Sequence, residues 1–543
     1  MQKKQNPLTN KQENLTIEEA AKIANVTTAT IRNWIKTNHI SPSKKGGIVQ
    51  ASFNAFMQDI VGKKKLTSRA NKLLKDKHNH TEITQKIKQL LQQNDTKNIG
   101  ETYENLLSNS YRNKEGIYYT PAWIINDMLK NLKINDNFMF LDPCCGSGNF
   151  IIEALKLGVS PENIYGFDTD ENAVSITKQR IKKEFGLEMP HIKVGDFLTE
   201  VNQLKERQIV FDGIFTNPPW GKKFDKTIKK QLAHIFDCGN SLDTTSLFMA
   251  ASLSILKQNG TLGFLVQEAF FNISNFEYIR KKIIALRILR FVDYGKVFKG
   301  LITKAQAIIV KNEKAKNNSQ IECCFGNTTY RRSLVSFKNN PKTIFNFWTN
   351  KSENQVINKL YAAKHITLKN KAQWAIGIVT GNNRQFCSSV QKEGYIPAFK
   401  GSDIRKKGLK NPSIFISANF KNFQQVAPLP MYQAKEKLIY KFISSDLCFY
   451  NDTQQRYVIN SANILIPDNL GISNYQLAML LNSEIINWLF KQLFSTHKIL
   501  RSDLEILPLH TDYFSHYTEF SEASYLDYLH LEKTKNGSYQ VKK

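Results

Sequence analysis

The chain has 543 residues, 41% of them hydrophobic and 11% aromatic, which is too long for one core and apolar enough for about three packed domains. Its 75 lysines and arginines outweigh 47 aspartates and glutamates, and the net charge of +28 favours a polyanionic partner held by phosphate contacts. The seven cysteines lack metal-ligand spacing, residues 1–14 lack an apolar leader, and no apolar run reaches membrane-spanning length. A reduced, cytoplasmic protein without a zinc site is expected.

In chain order, residues 15–60 read as a small helical unit. Thr16 stands where a helix cap belongs, ahead of Glu18, Glu19 and two alanines. Asn25 tolerates a left-handed turn, and a second helix over 27–36 turns Ile31, Trp34 and Ile35 inward and Arg32 outward. The pattern resembles the helix-turn-helix of MerR- and excisionase-like DNA-binding domains, with Asn25 where glycine is more usual. That resemblance implies DNA contact; packing or oligomerisation is the alternative. Residues 61–100 follow as a Lys/Gln-rich helical connector.

From 101 to 325, short apolar runs alternate with amphipathic segments. Strands are expected at 138–141, 164–167, 192–194, 213–215, 262–266, 290–294 and 305–310, which predicts an α/β, Rossmann-like doubly wound sheet. The first strand runs into Asp142-Pro143-Cys144-Cys145-Gly146-Ser147-Gly148. Its glycines let the backbone turn sharply and approach a ligand where the helix over 150–157 begins. The third glycine of a dinucleotide cradle is missing, and Asp142 suits a cationic ligand better than a pyrophosphate. The second strand ends at Asp168-Thr169-Asp170, where a carboxylate can accept from a ribose diol. The third ends at Gly195-Asp196-Phe197, which puts Asp196 near an adenine amine. Three carboxylates at three strand ends converge on the switch-point crevice of such a sheet.

The fourth strand leads into Asn217-Pro218-Pro219-Trp220. This run suits methyl transfer to a planar nitrogen whose lone pair is delocalised. The Asn217 carboxamide oxygen and the Pro218 carbonyl can hold the amine protons and aim the lone pair. The prolines remove backbone freedom, and Trp220 offers a face for stacking.

Taken together, these segments resemble class I S-adenosylmethionine-dependent methyltransferases, and specifically gamma-class (TaqI-like) DNA adenine-N6 methyltransferases of type II restriction-modification systems. Gly116-Ile117-Tyr118-Tyr119-Thr120-Pro121, the Asp142 loop, Asp168, Asp196-Phe197 and Asn217-Pro218-Pro219-Trp220 occur in the family's order, with Trp220 replacing the commoner tyrosine. The resemblance implies a seven-stranded sheet and S-adenosyl-L-methionine as cofactor. It assigns Tyr119, Thr120, Pro121, Asp142, Pro143, Cys144, Gly146, Gly148, Asp168, Thr169, Asp196, Phe197 and Asn217 to the cofactor. Asn217, Pro218, Pro219, Trp220 and Phe298 are assigned to catalysis, with the target adenine flipped out between Trp220 and Phe298.

Residues 326–370 read as a connector and 371–543 as a second α/β domain. Gly377-Ile378-Val379-Thr380-Gly381-Asn382-Asn383, Lys400-Gly401-Ser402-Asp403-Ile404, Tyr457-Val458-Ile459-Asn460-Ser461-Ala462-Asn463-Ile464, Leu480-Leu481-Asn482-Ser483 and the run from His497 to Pro508 resemble the TaqI-like specificity domain. The implied partner is double-stranded DNA, bound by a monomer, with a separately encoded restriction endonuclease as companion. The alternatives are an RNA adenine or protein glutamine methyltransferase, or a transcriptional regulator that senses S-adenosylmethionine. A fused nuclease is not expected, because 61–111 offers no convincing carboxylate pair with a nearby lysine and leaves too little room for one.

Overall fold

The computed structural model describes residues 14–24, 28–36, 40–43, 47–61, 83–87, 89, 99–107, 118–221, 225–298, 301, 303–406, 408–494 and 498–542. They divide into two units, Met1–Ile117 and Tyr118–Lys543.

In the first unit Thr16 caps helix Ile17–Ile23 reciprocally. The Glu19 N–H donates to the Thr16 hydroxyl at 3.1 Å, and the Thr16 N–H donates to the Glu19 carboxylate at 2.8 Å. The second helix, Thr28–Lys36, buries Ile31 and Trp34 and leaves Arg32 exposed, as its periodicity predicts. Trp34 meets Phe56 of helix Gln50–Val61 edge to face, with ring centroids 4.8 Å apart. Strands Asn14–Leu15 and Ile48–Val49 pair antiparallel. Asn25 and most of 61–100 lie outside the described residues.

The second unit is built on a nine-stranded sheet. Its strands are β1 (Phe140–Asp142), β2 (Ile164–Asp168), β3 (Ile192–Val194), β4 (Phe211–Thr216), β5 (Leu256–Gln267), β6 (Leu286–Gly295), β7 (Ala305–Lys314), β8 (Gln320–Phe325) and β9 (Thr328–Ser333), in the order β9-β8-β6-β7-β5-β4-β1-β2-β3. All seven expected strands form. Parallel pairing runs through β3-β2-β1-β4-β5, and β7 is antiparallel to both β5 and β6. The connecting helices used below are α1 (Ala122–Leu129), α2 (Asn149–Lys156), α3 (Glu171–Phe185), α4 (Phe197–Glu206), α5 (Lys226–Ile235), α6 (Thr244–Leu253) and α7 (Glu277–Ile284). Successive strand residues go to opposite faces. Leu141 and Ile214 enter one core while Phe140 and Phe215 enter the other, so both faces are covered and the strands read as continuous apolar runs. The chain order reverses between β1 and β4, which opens the crevice at their carboxyl ends.

The division into units falls at Tyr118, with helix Ile99–Leu106 in the first unit. Residues 326–370 are not a bare connector. The β8–β9 hairpin widens the sheet from seven strands to nine, and Phe337, Phe345 and Phe347 pack into the catalytic core. Helix α8 (Lys351–Ala362) then buries Val356, Ile357 and Leu360 in the next core. Strand β9 escaped notice because it is an edge strand that buries Arg332 and no apolar side chain.

Beyond residue 370 lie β10 (Ala372–Ile376), β11 (Cys387–Ser388), β12 (Tyr395–Phe399), β13 (Ile404–Arg405), β14 (Gly408–Leu409), β15 (Ile414–Ser417), β16 (Lys437–Lys441), β17 (Phe449–Asp452), β18 (Tyr457–Val458) and β19 (Ala462–Pro467). They form two four-stranded sheets, β10-β19-β16-β17 and β11-β15-β12-β18, with β13 and β14 as a separate hairpin. Lys342, its backbone held by a buried arginine, ties this half to the first. Arg280 of α7, 0% exposed, donates to the carbonyls of Phe270, Ile273, Lys342 and Thr343, while the Lys342 ammonium reaches the Ser502 carbonyl at 2.6 Å. Among the described residues no helix is long and apolar enough to cross a membrane.

Candidate active site

The loop after β1 is fastened from three sides. Gly148, at φ 85°, opens α2, and a Cβ there would sit 2.6 Å from the Thr177 methyl of α3, so only glycine fits. The Thr177 hydroxyl donates to the Gly146 carbonyl at 2.8 Å, and the Arg180 guanidinium donates to the Ser147 carbonyl and, at 2.7 Å, to the Asn149 side chain. The Gly146 N–H donates to Asp168 at 2.9 Å. The buried Ser147 hydroxyl in this loop has no protein partner.

The expected carboxylates do gather here. Asp142 is 1% exposed and accepts from the Thr216 hydroxyl at 2.7 Å and the Cys144 N–H at 3.1 Å, both through Oδ1. Burial pushes its carboxyl up to about 7, and Asp168 nearby adds to the rise. Burial and the same two carboxylates push the Cys144 and Cys145 thiols well above the ordinary range, so neither is a nucleophile. Asp168 also accepts from the Asp170 N–H, and Asp196 caps α4 through the Leu198 N–H. Tyr119 and Pro121 are half-buried, Thr120 and Pro143 are buried, and Thr169 is exposed. Phe197 lies deeper than Asp196 beside it. Its ring lies in the core, with centroids 6.2 Å from Phe167 and 5.8 Å from Phe248, so it anchors the start of α4.

At the end of β4 the Asn217 amide donates to the Tyr118 carbonyl at 3.0 Å, which fixes the orientation of the carboxamide. Its oxygen is buried and has no hydrogen-bond partner. A buried acceptor left bare costs stability, and such groups cluster where a ligand supplies the missing donor. Pro218 is buried and Pro219 half-buried beside it. The Trp220 indole N–H donates to the Leu265 carbonyl at 3.2 Å, which sets the plane of its ring. Trp220 and Phe298 do come together, but not as parallel walls. Their centroids are 5.3 Å apart at 78°, and Tyr118 closes the group, 5.4 Å from Phe298 and 6.3 Å from Trp220. No base fits between rings in edge contact.

Sequence reasoning overlooked Tyr118 as a ring partner, and Thr177, Arg180 and Thr216 as supports. None stands inside a recognisable run except Tyr118 and the residue flanking Asn217. Among the described residues no group of histidine, cysteine, aspartate and glutamate is arranged to hold a metal.

The comparisons with known proteins agree with this geometry. The N-6 DNA methylase family matches residues 94–383, and the TaqI-like C-terminal specificity domain matches residues 396–509. The chain is 43% identical over 399 residues to the type II methyltransferase M.VspI of Vibrio sp. (strain 343), covering 73% of this chain and 97% of that protein. It is 26% identical over 215 residues to the type II methyltransferase M.HincII of Haemophilus influenzae, 38% of each. Among solved structures, the type IIL restriction-modification enzyme MmeI in complex with DNA has a TM-score of 0.51 at 13% identity, over 75% of this chain and 70% of that one, a likeness of fold alone. The family match runs through every segment that builds the crevice, from Tyr118 to Phe298. The chain therefore belongs to the N-6 DNA methylase family, a class I methyltransferase fold joined to a TaqI-like specificity domain.

Proposed function

We propose that the protein is a site-specific DNA methyltransferase that acts on the exocyclic amine of an adenine turned out of the duplex. The observation that carries the reading is the buried, unpartnered oxygen of Asn217, held in place through its own amide. An adenine amine is the donor that this oxygen and the Pro218 carbonyl lack. Accepting both amine protons localises the lone pair on nitrogen, and no strong base is needed before transfer, because the proton leaves only once the nitrogen has become cationic. Preorganised acceptors of this kind cost no rearrangement at the moment of reaction. Trp220 and Phe298 then flank the base once their edge contact opens, and stacking offsets part of the cost of unstacking it from DNA.

The residues around the β1 loop fit S-adenosyl-L-methionine. A glycine turn without a phosphate cradle, a bare Ser147 hydroxyl and carboxylates at the ends of β1 and β2 suit a ligand with a cationic end and a ribose. Asp142 and the loop would hold the methionine end, Asp168 the ribose and Asp196 the adenine amine. The cofactor supplies an electrophilic methyl group. Relatives named as type II methyltransferases, together with the specificity domain, support duplex DNA over RNA or glutamine. They also support a separately encoded endonuclease as companion, and we read the protein as a cytoplasmic monomer on DNA. The first helices, Ile17–Ile23 and Thr28–Lys36, precede both family matches, and we read them as a second DNA contact through Arg32.

The test is Asn217→Ala. Methyl transfer to plasmid DNA should fall at least about a hundredfold, the usual loss for one aimed polar group, while cofactor affinity stays within about twofold. A variant that still methylates DNA fully would sink the assignment.

A further inference from the structure

One buried contact joins the two halves of the crevice. β1 and β4 are parallel neighbours in register at Leu141 and Ile214, and the chain order reverses between them. Asp142 ends β1 and Thr216 ends β4, one residue before Asn217. Both are buried, Asp142 at 1% and Thr216 at 0% exposure. We propose that Thr216 is a positioning residue for the cofactor: its hydroxyl, donating to Asp142 Oδ1 at 2.7 Å, keeps the crevice carboxylate charged and aligned with the strand that carries Asn217. The inference rests on the cofactor reading above.

The groups around Asp142 make that donor matter. From β2 comes the Asp168 carboxylate, and from the loop come the Cys144 and Cys145 thiols. A second carboxylate and two uncharged thiols do nothing to stabilise a negative charge there. Burial acts against that charge as well, and only the Thr216 hydroxyl and the Cys144 N–H oppose it. Because both donors bind Oδ1, Oδ2 is the atom left for a cationic group of the ligand. A carboxylate holds such a group and a carboxylic acid does not. Cofactor affinity should therefore climb as pH rises through about 7, until the ligand's own α-ammonium loses its proton at about pH 8. Binding at about pH 7 should release part of a proton.

Replacing Thr216 by valine keeps the shape and removes the donor. Losing one hydrogen bond to a charge moves the titration up by about one pH unit. At pH 7 the ionised fraction drops from about one half to about one tenth, so affinity should fall about fivefold; near pH 9 the variant and the parent should converge. Thr216→Ser keeps the hydroxyl and should follow the parent at every pH. Thr216→Ala is a second donor-less variant should valine disturb the fold. The measurement is calorimetric affinity for S-adenosylmethionine from about pH 6 to about pH 9, with circular dichroism to establish folding. An equal loss at every pH, or no loss at all, would overturn the role given to Thr216. A parent protein that binds no S-adenosylmethionine at any pH would overturn the cofactor reading with it.

Discussion

The catalytic and recognition halves of the second unit use their recognisable sequence runs for different purposes. In the catalytic half the runs deliver polar atoms to a crevice: a bare Asn217 oxygen, a bare Ser147 hydroxyl and carboxylates at Asp142 and Asp168. In the recognition half they tie backbone to backbone. The Gly377 N–H donates to the Ala462 carbonyl at 3.0 Å, Ile378 to Val458 at 2.8 Å, Ile459 to Phe399 at 3.0 Å, and the Gly401 N–H to the Ser461 hydroxyl at 2.9 Å. Asp403, the one acid of its run, is turned inward and accepts from the Lys400 N–H and the Ser413 hydroxyl. Three of the five runs thus close one knot that joins the two small sheets. A recurring run marks chemistry in one half and folding in the other.

That contrast can be broken by substitution. The largest effect belongs to Asn217→Ala, which should remove activity with little change in melting temperature, since losing the amide bond to the Tyr118 carbonyl is offset by removing a buried oxygen that has no partner in the free protein. Next comes Lys437→Met. Lys437 and Asp452 are both 0% exposed and 2.6 Å apart, with Arg456 on the second carboxylate oxygen at 2.8 Å. Stranding the carboxylate should destabilise the recognition half by about 2–3 kcal/mol, somewhat below the usual cost because Arg456 remains. Burial works against the Asp452 charge, yet Lys437 and Arg456 hold its carboxyl below the ordinary range. Stability from that ion pair is therefore present above the unfolded value near about 4 and lost as pH falls below it. Urea melts of parent and variant should converge in acid.

A smaller loss is expected from Gly377→Ala. A Cβ there would lie 2.3 Å from the Ile459 carbonyl oxygen and 2.4 Å from that of Ala462, so the knot must shift, at about 1–3 kcal/mol. Cofactor affinity should not change; if it falls as far as stability does, the division between the halves is wrong. The smallest effect is at Arg32. Arg32→Ala should weaken DNA binding modestly and shallow its salt dependence by about one counterion, read by fluorescence anisotropy at several ionic strengths. An unchanged salt slope would return the first helices to a packing role.

Legibility followed the same division. Buried parallel strands advertise themselves as apolar runs, so β1 to β7 and the crevice at their ends were readable from sequence. The edge hairpin was not, because its outer strand carries Thr328, Thr329, Arg331 and Ser333 with no apolar face. Asp142 and Asn217 stood out inside spaced motifs. Thr177, Arg180 and Thr216 act through one or two hydrogen bonds each across 31 to 74 residues of chain, and no spacing rule reaches that far. The packing of the Phe197 ring into the core could not be read from its place beside Asp196.

The central claim is that Asn217 and Pro218 receive an adenine amine. The direct measurement is nucleoside mass spectrometry of duplex DNA incubated with the protein and S-adenosylmethionine carrying a labelled methyl group. The label should appear in N6-methyladenine and be absent with Asn217→Ala. Label in N4-methylcytosine, or in RNA or protein while the DNA stays blank, would contradict the account.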